Sequence, residues 1–253
     1  WAKGNLQHLW IMLREPGIRF AHRMAFLNGI MAYLASPLWL AFLILTSIEA
    51  AQMTLAPIDY FPEGYQGLFP LWPEWRPEWA LGLALSTLML LFLPKFLAIY
   101  DSMCHRAAKS FGGLPRLLLS VFVEIVVSIL LAPIRMLAHS RFVVAALLNL
   151  SLKWAGQNRT DEMTWSDGLK TQLPAMAVGA SWAGFAWTLD PLFFFWSLPV
   201  AVPLIFSAPT SVLLSRQALG IGLLHKGILL IPEEQRPMPL LTRARCYRSE
   251  EKP

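Results

Sequence analysis

The sequence predicts an all-α integral membrane protein with four transmembrane helices and additional amphipathic helices at the membrane interface. Hydrophobic residues make up 56% of the 253 residues and charged residues only 15%, a balance that soluble domains do not show. Several nearly uncharged stretches reach the ~20 residues that a spanning helix needs. Lys and Arg are concentrated in alternate connecting segments, as expected of loops that face the cytoplasm.

The first part of the chain predicts one interfacial helix and one span. Residues 1–23 mix basic and apolar positions with amphipathic spacing, and Pro16-Gly17 separates most of them from the next helical segment. Residues 24–48 carry no charge and form the first predicted span, which tolerates Pro37. The acidic, Trp- and Pro-rich residues 49–78 then predict an ordered loop at a water interface.

Three further spans are predicted. Residues 79–100 form the second, with Lys95 near one end, from where its long side chain reaches the headgroups. Residues 171–189 and 191–215 carry no charge and predict a tight helical hairpin. The basic residues 216–253 predict a cytosolic tail.

The stretch 117–150 is apolar enough for a fifth span, yet polar side chains gather on one side of it. We call these side chains the polar stripe: Arg116, Ser120, Glu124, Ser128, Arg135 and His139. A span here would place Glu124 and Arg135 in hydrocarbon at roughly 2.5–3.5 kcal/mol each and would export the basic tail. We therefore predict an amphipathic helix in the cytoplasmic leaflet, kinked at Pro133, with Glu124, Arg135 and His139 as packing and pairing groups.

Four spans place every basic cluster on one side of the membrane, so both ends of the chain are predicted to be cytoplasmic. The predicted organisation is an interfacial helix at 1–23, two transmembrane helices and the leaflet helix in 24–152, a cytosolic loop at 153–170, a transmembrane hairpin at 171–215 and the tail at 216–253.

The chain shows no pattern of its own for catalysis. No Gly-rich phosphate loop, nucleophile elbow or His/Cys cluster with metal-ligand spacing is present, so neither a catalytic nor a metal site is predicted within it. Cys104 and Cys246 are predicted to be free thiols. No nucleic-acid partner is expected.

Several motifs carry a resemblance to a known family. Residues 1–7, WAKGNLQ, resemble the end of the Gln-x-x-Arg-Trp signature of membrane-embedded family 2 glycosyltransferases. A closer resemblance is to the glucans biosynthesis glucosyltransferase H family, relatives of cellulose synthase that build osmoregulated periplasmic glucans. Its motifs here are FLNGIMAYLASPLW at 26–39, LFPLWPEWRPE at 68–78, LLFLPK at 90–95, LLAPIRML at 130–137 and LIPEE at 230–234.

The resemblance implies the C-terminal membrane half of a bacterial inner-membrane enzyme. Such an enzyme takes UDP-glucose on the cytoplasmic side and elongates a β-1,2-linked glucan with inversion, and this half holds the acceptor and forms the glucan exit path. The catalytic carboxylates, and a divalent metal (Mg²⁺ or Mn²⁺), are implied to lie in an upstream family 2 glycosyltransferase domain and not in this chain. The implied partners are that domain, membrane lipid, UDP-glucose and the glucan acceptor.

The resemblance also implies candidate site residues. Trp1 matches the signature Trp, which stacks under the acceptor sugar in cellulose synthases. Residues 154–168 correspond in position to their gating loop, although the Phe-x-Val-Thr-x-Lys pattern is absent. The candidates in this loop are Trp154, Arg159, Thr160, Thr164 and Trp165, and the guanidinium of Arg159 suits a diphosphate.

Two other classes stay open on the sequence. A non-catalytic transporter or channel subunit is the main alternative, although coupled transporters keep ionisable groups at mid-membrane and three of the predicted spans have none. A scaffold that anchors a partner is the other, and it predicts that the loop tolerates mutation.

Overall fold

The computed structural model describes residues 2–56, 69, 77–150, 162–235, 237–240 and 243, and within these ranges the regular structure is helical, without strands. The helices are α1 Ala2–Arg14, α2 Phe20–Leu55, α3 Pro77–Cys104, α4 Leu114–Leu147, α5 Trp165–Leu189, α6 Pro191–Ile205, α7 Ser207–Leu214, α8 Gln217–His225 and α9 Pro232–Gln235. A short 3₁₀ helix, Ala107–Phe111, lies between α3 and α4.

The chain divides into two compact units. Unit 1 contains residues 1–59 and 128–216, and unit 2 contains residues 60–127 and 217–253. The core of unit 1 is formed by small and aliphatic side chains from α2, α4, α5, α6 and α7. Its most buried members are Ile30, Met136, Val143, Ala186, Ala201, Leu204, Ala208 and Val212.

Several described helices are long and apolar enough to cross a membrane, which supports a multi-pass membrane protein. They are Phe20–Leu55, Leu81–Cys104 and Leu114–Leu147, and α6 with α7 makes a fourth if that bent pair is one span. The all-α membrane fold class is therefore confirmed with three or four candidate spans. The count of four and the interfacial positions of the other helices stay predictions.

The candidate spans of the structure are not the same set as those predicted from the sequence. Judged by length and apolar composition, α4 is a candidate span and α5 is not. We had predicted that α4 lies on the membrane surface, because a crossing there would export basic residues, and that α5 lies within the membrane. Length and composition carry no information about sidedness, so the placement of both helices stays a prediction.

The break between α1 and α2 lies at the predicted Pro16-Gly17. Gly17 has a φ of 88°, a left-handed conformation that glycine adopts without strain. Arg23, in the first turn of α2, donates to the carbonyls of Met12 at 2.5 Å and Glu15 at 3.0 Å. These bonds satisfy carbonyls at and just after the end of α1 that have no partner within the helix. Helix α2 begins at Phe20, four residues before the predicted span.

The predicted hairpin is present, but its second helix is broken. Asp190 connects α5 to α6, and its side chain accepts a hydrogen bond from the Leu192 amide at 2.7 Å. Helix α6 ends at Ile205 and α7 begins at Ser207, with a bend of 50° between them. Pro209, the third residue of α7, explains the break, because it has no amide hydrogen to donate to the Ile205 carbonyl four residues earlier and its ring clashes with that carbonyl.

Candidate functional site

Only two of the predicted site residues lie in the part of the chain that the structure describes. Trp1, Trp154, Arg159 and Thr160 lie outside the described residues. Thr164 and Trp165 are described, and both lie at the start of α5. The helix begins at Trp165, so residues 165–170, which we had predicted to belong to a loop, are helical.

Thr164 is the N-cap of α5. Its Oγ1 accepts a hydrogen bond from the Asp167 amide at 3.1 Å and donates one to the Asp167 Oδ2 at 2.7 Å. This reciprocal arrangement is a variant of the capping box, in which the residue three positions after the cap supports it. The sequence Thr164-Trp165-Ser166-Asp167 contains this capping pattern, but we overlooked it when we predicted a loop here.

Trp165 is the first residue of α5 and is half exposed, at 51%. A Trp ring on the first turn of a capped helix has a fixed backbone and an accessible face. Such a ring can stack against the C–H face of a sugar.

A set of polar contacts joins the start of α5 to the end of α7, and we call it the α5–α7 clasp. The Arg216 Nη1 lies 2.6 Å from the Glu162 Oε2, and the Met163 amide donates to the Ser215 Oγ at 3.1 Å. The ion pair is partly exposed, so it contributes about 0.2–1 kcal/mol. The paired residues are 54 positions apart, and no local sequence pattern could have revealed them.

Close packing reinforces the clasp. A Cβ placed on Gly168 would lie 2.5 Å from the Val212 Cγ2 and 3.7 Å from the Ala208 carbonyl oxygen. Gly168 and Val212 are both buried. The first turn of α5 is thus held against α7 by steric contact as well as by polar bonds.

A second polar contact lies at the end of α4. Asn149 adopts a left-handed conformation with a φ of 53°, and the Leu150 amide donates to the Ala145 carbonyl at 2.9 Å. Asparagine tolerates this conformation, which commonly ends helices. The Asn149 Oδ1 accepts a hydrogen bond from the Lys3 ammonium at 2.7 Å, so the start of α1 is bonded to the end of α4.

The polar stripe has protein partners within unit 2. Lys95 on α3 forms an ion pair with Glu124 on α4 at 2.5 Å, and the Ser120 Oγ accepts from the Leu229 amide at 2.8 Å. A Cβ on Gly227 would lie 3.1 Å from the Arg116 Cδ. The absence of a side chain at Gly227 therefore leaves room for the Arg116 side chain. The structure pairs the Lys95 ammonium with Glu124, and its reach to the headgroups stays a prediction.

The stripe has a further contact within unit 1. The His139 Nδ1 lies 3.4 Å from the Ser36 Oγ, and its ring centroid lies 5.0 Å from that of Tyr33. Arg135 is exposed. Pairing and packing roles for Glu124 and His139 are therefore confirmed, and each has its own partners.

Unit 1 contains a cavity of about 840 Å³ between α2, α4, α5 and α6. Its lining is almost entirely apolar, and its polar side chains are Ser47, Gln52 and Trp182. The Trp182 Nε1 donates to the Ser47 Oγ at 2.9 Å, and that hydroxyl donates to the Leu43 carbonyl at 2.7 Å. This cavity does not suit a glucan, because the sugar hydroxyls would find few free hydrogen-bond partners.

Within the described ranges, no group of three His, Cys, Asp or Glu side chains is arranged to hold a metal ion. Cys104 is an exposed free thiol, and Cys246 lies outside the described residues.

Comparison with known proteins found several similar proteins. The chain is 43% identical over 238 residues to a protein of Cupriavidus pinatubonensis, 44% over 239 residues to one of Dickeya dadantii and 39% over 251 residues to one of Pseudomonas entomophila. All three are named glucans biosynthesis glucosyltransferase H. No family model and no solved structure matches the chain.

The matches cover 94–99% of this chain but only 27–29% of each relative. The chain therefore spans less than a third of the length of the curated relatives that it matches. The matched region is the C-terminal portion of those proteins.

Proposed function

We propose, from its homology to the C-terminal portion of glucans biosynthesis glucosyltransferase H, that this chain is the membrane part of a bacterial inner-membrane glucosyltransferase. The enzyme would use UDP-glucose and elongate the β-1,2-linked backbone of osmoregulated periplasmic glucans. The observation that carries the proposal is 39–44% identity along almost the whole chain to proteins whose name states glucosyl transfer and glucan synthesis. The several membrane-length helices support it.

In this proposal the upstream domain performs the chemistry and the present chain positions the substrates. An upstream carboxylate takes the proton of the acceptor hydroxyl, and the transfer proceeds with inversion. Stabilisation of the departing UDP is assigned to a divalent metal, Mg²⁺ or Mn²⁺, held by the same domain. The present chain would hold the acceptor glucan at Trp1 and form the exit path.

The residues at the start of α5 receive distinct roles. Trp165 is proposed to contact a sugar, because its ring is half exposed and its backbone is held by the cap and by the α5–α7 clasp. Thr164 is proposed as a positioning residue, because its hydroxyl is already engaged with Asp167. Trp154, Arg159 and Thr160 stay candidates for the donor side, and Arg159 is proposed to bind the diphosphate because its guanidinium suits that group.

The proposed topology places both ends of the chain in the cytoplasm. It keeps the basic segments beside the upstream domain, on the side where UDP-glucose is available. The exit path would run along surfaces other than the apolar cavity of unit 1, since that cavity cannot satisfy sugar hydroxyls.

The proposal is tested with the intact enzyme in inverted membrane vesicles supplied with labelled UDP-glucose. Wild-type vesicles should incorporate glucose into glucan, whereas a transporter or channel subunit would incorporate none. Trp165→Ala should lower kcat/KM roughly 2- to 13-fold, the loss expected for one aromatic stacking contact of ~0.5–1.5 kcal/mol.

Trp187→Ala is the matched control, because Trp187 lies on the same helix and is similarly exposed, at 60%. Equal rates for the two variants would remove Trp165 from the site without touching the assignment of the enzyme. Trp1→Ala and Arg159→Ala test the acceptor and diphosphate roles in the same assay.

A further inference from the structure

The first turn of α1 is joined to the end of α4 by a contact that the proposed function does not use. The Lys3 ammonium donates to the Asn149 Oδ1 at 2.7 Å, across 146 positions of the chain. Trp1, the proposed acceptor residue, lies two positions before Lys3. The proposed donor loop begins at Trp154, five positions after Asn149. The bond therefore joins the two segments to which the proposed function assigns the two substrates.

Helix α1 is also packed along α2. A Cβ on Gly29 would lie 2.8 Å from the Asn5 Oδ1, so the Asn5 side chain occupies space that only a glycine leaves open. The His8 ring centroid lies 5.1 Å from that of Phe26, and Arg23 donates to a carbonyl in the last turn of α1. Because these contacts position α1 on α2 along its length, the bond at its first turn links two helices that each have a defined place in unit 1.

Asn149 combines a backbone role with a side-chain role. Its φ of 53° and the bond from the Leu150 amide to the Ala145 carbonyl end α4 in a left-handed turn. Glycine adopts that backbone conformation without strain, so the turn does not require an amide side chain. The Asn149 amide is therefore needed for the bond to Lys3 and not for the end of the helix.

The other flank of the proposed donor loop is held by the α5–α7 clasp. The Glu162 carboxylate pairs with Arg216, and the Met163 amide donates to the Ser215 hydroxyl. The two described flanks of residues 151–161 are thus each bonded to another helix of unit 1. Only the flank at Asn149 is bonded to the helix that follows the proposed acceptor residue.

We propose that Lys3 and Asn149 are positioning residues that keep the acceptor glucan aligned with the donor sugar. This inference rests on the proposed function, which places the acceptor at Trp1 and the diphosphate at Arg159. Transfer requires the acceptor oxygen to lie ~3–3.5 Å from the anomeric carbon in an aligned geometry. Lys3 and Asn149 touch neither substrate in this scheme. They act by fixing the acceptor segment against the first flank of the donor loop.

A misaligned acceptor leaves the donor glucose open to water. In transfer, the acceptor oxygen bonds to the anomeric carbon, the bond from that carbon to UDP breaks, and the acceptor proton passes to the upstream carboxylate. In hydrolysis, water takes the place of the acceptor, and the products are free glucose and UDP. The UDP released per glucose incorporated therefore reports alignment, and it does not depend on the amount of folded enzyme.

The test measures this ratio for the intact enzyme in inverted membrane vesicles. Lys3→Met removes the ammonium, and Asn149→Gly removes the hydrogen-bond acceptor while keeping the left-handed turn. Each change should raise the UDP released per glucose incorporated about 2- to 13-fold, which corresponds to the ~0.5–1.5 kcal/mol of one hydrogen bond. The double variant should raise the ratio no further, because both changes remove the same bond.

Conservative changes and a matched control complete the test. Lys3→Arg keeps a donor and Asn149→Asp keeps an acceptor, so both variants should keep the wild-type ratio. Arg14→Met also removes one positive charge from α1, but Arg14 lies over the Trp10 ring at the other end of the helix, so its ratio should not change.

Two results would overturn the inference and leave the glucosyltransferase proposal intact. One is an unchanged ratio in both Lys3→Met and Asn149→Gly, and the other is an equal rise in Arg14→Met. Wild-type vesicles that incorporate no glucose would overturn the glucosyltransferase proposal and this inference with it.

Discussion

Gly179 offers the sharpest test of the packing of α5 against α6. A Cβ at this position would lie 2.6 Å from the Leu204 Cβ and 3.1 Å from the Ala201 carbonyl oxygen. Both neighbours belong to α6 and are buried, with Leu204 at 1% and Ala201 at 0% exposure. The contacted atoms are a backbone oxygen and a Cβ, so neither can move aside by a change of rotamer. Gly179→Ala must therefore push the two helices apart.

The expected cost can be worked out from this geometry. Overpacking a close-packed interior typically costs ~1–3 kcal/mol, while Gly→Ala within a helix gains about 0.5–1 kcal/mol of conformational free energy. Gly184, on the same helix, has no atom within 4 Å of the position that its Cβ would occupy. Gly184→Ala should therefore gain this conformational free energy without a steric clash. The difference between the two variants therefore isolates the steric contribution, which should be ~1–3 kcal/mol.

The assay is unfolding of the purified intact enzyme in mixed micelles titrated with a denaturing detergent. Gly179→Ala should unfold at lower denaturant than wild type, and Gly184→Ala should match or exceed wild type. Adding Leu204→Ala to Gly179→Ala should not rescue stability, because alanine keeps the Cβ that clashes. If both glycine variants were equally stable, the close approach of α5 and α6 would be refuted.

Three further predictions concern polar contacts. Ser47→Ala and Trp182→Phe should each cost ~0.5–1.5 kcal/mol of unfolding free energy, and the double variant should cost less than their sum, because one hydrogen bond joins the two residues. Glu124→Gln should lower the unfolding free energy by ~0.2–1 kcal/mol, because its ion pair with Lys95 is partly exposed, and an unchanged denaturant midpoint would contradict the pair. Thr164→Ala should cost ~0.5–2 kcal/mol and speed amide exchange in the first turn of α5, whereas Thr164→Ser should keep the cap.

Much of the local structure could be predicted from the sequence because its causes are local. The break at Pro16-Gly17 was predicted from residues that end helices wherever they occur, and the hairpin was predicted from two uncharged stretches, 171–189 and 191–215, that lie almost back to back. The start of α5 was missed although its signal was equally local. We predicted a loop because the segment is polar and resembles a loop in position, and we gave the Thr164 capping box less weight. In the structure, capping and helix propensity make residues 165–170 helical.

The partners of the polar stripe could not be predicted in the same way. Periodicity placed Glu124 and His139 on one side of a helix. It could not predict that Lys95 would form an ion pair with Glu124, or that Tyr33 would pack against His139. The α5–α7 clasp could not be predicted for the same reason, since its ion pair joins positions 54 residues apart. Such pairs depend on which helices pack together, and short-range patterns do not contain that information.

The sequence alone determined that this protein is helical and has several membrane-length segments, because apolar stretches in lipid must satisfy their backbone groups within the helix. Its motifs also pointed to the glucosyltransferases that the comparisons then found. Tertiary structure alone decided the cavity of unit 1, the close approach at Gly179 and the bonds that hold the start of α5. These features arise where distant helices meet, and they depend on shape and volume, which residue order specifies only through the fold.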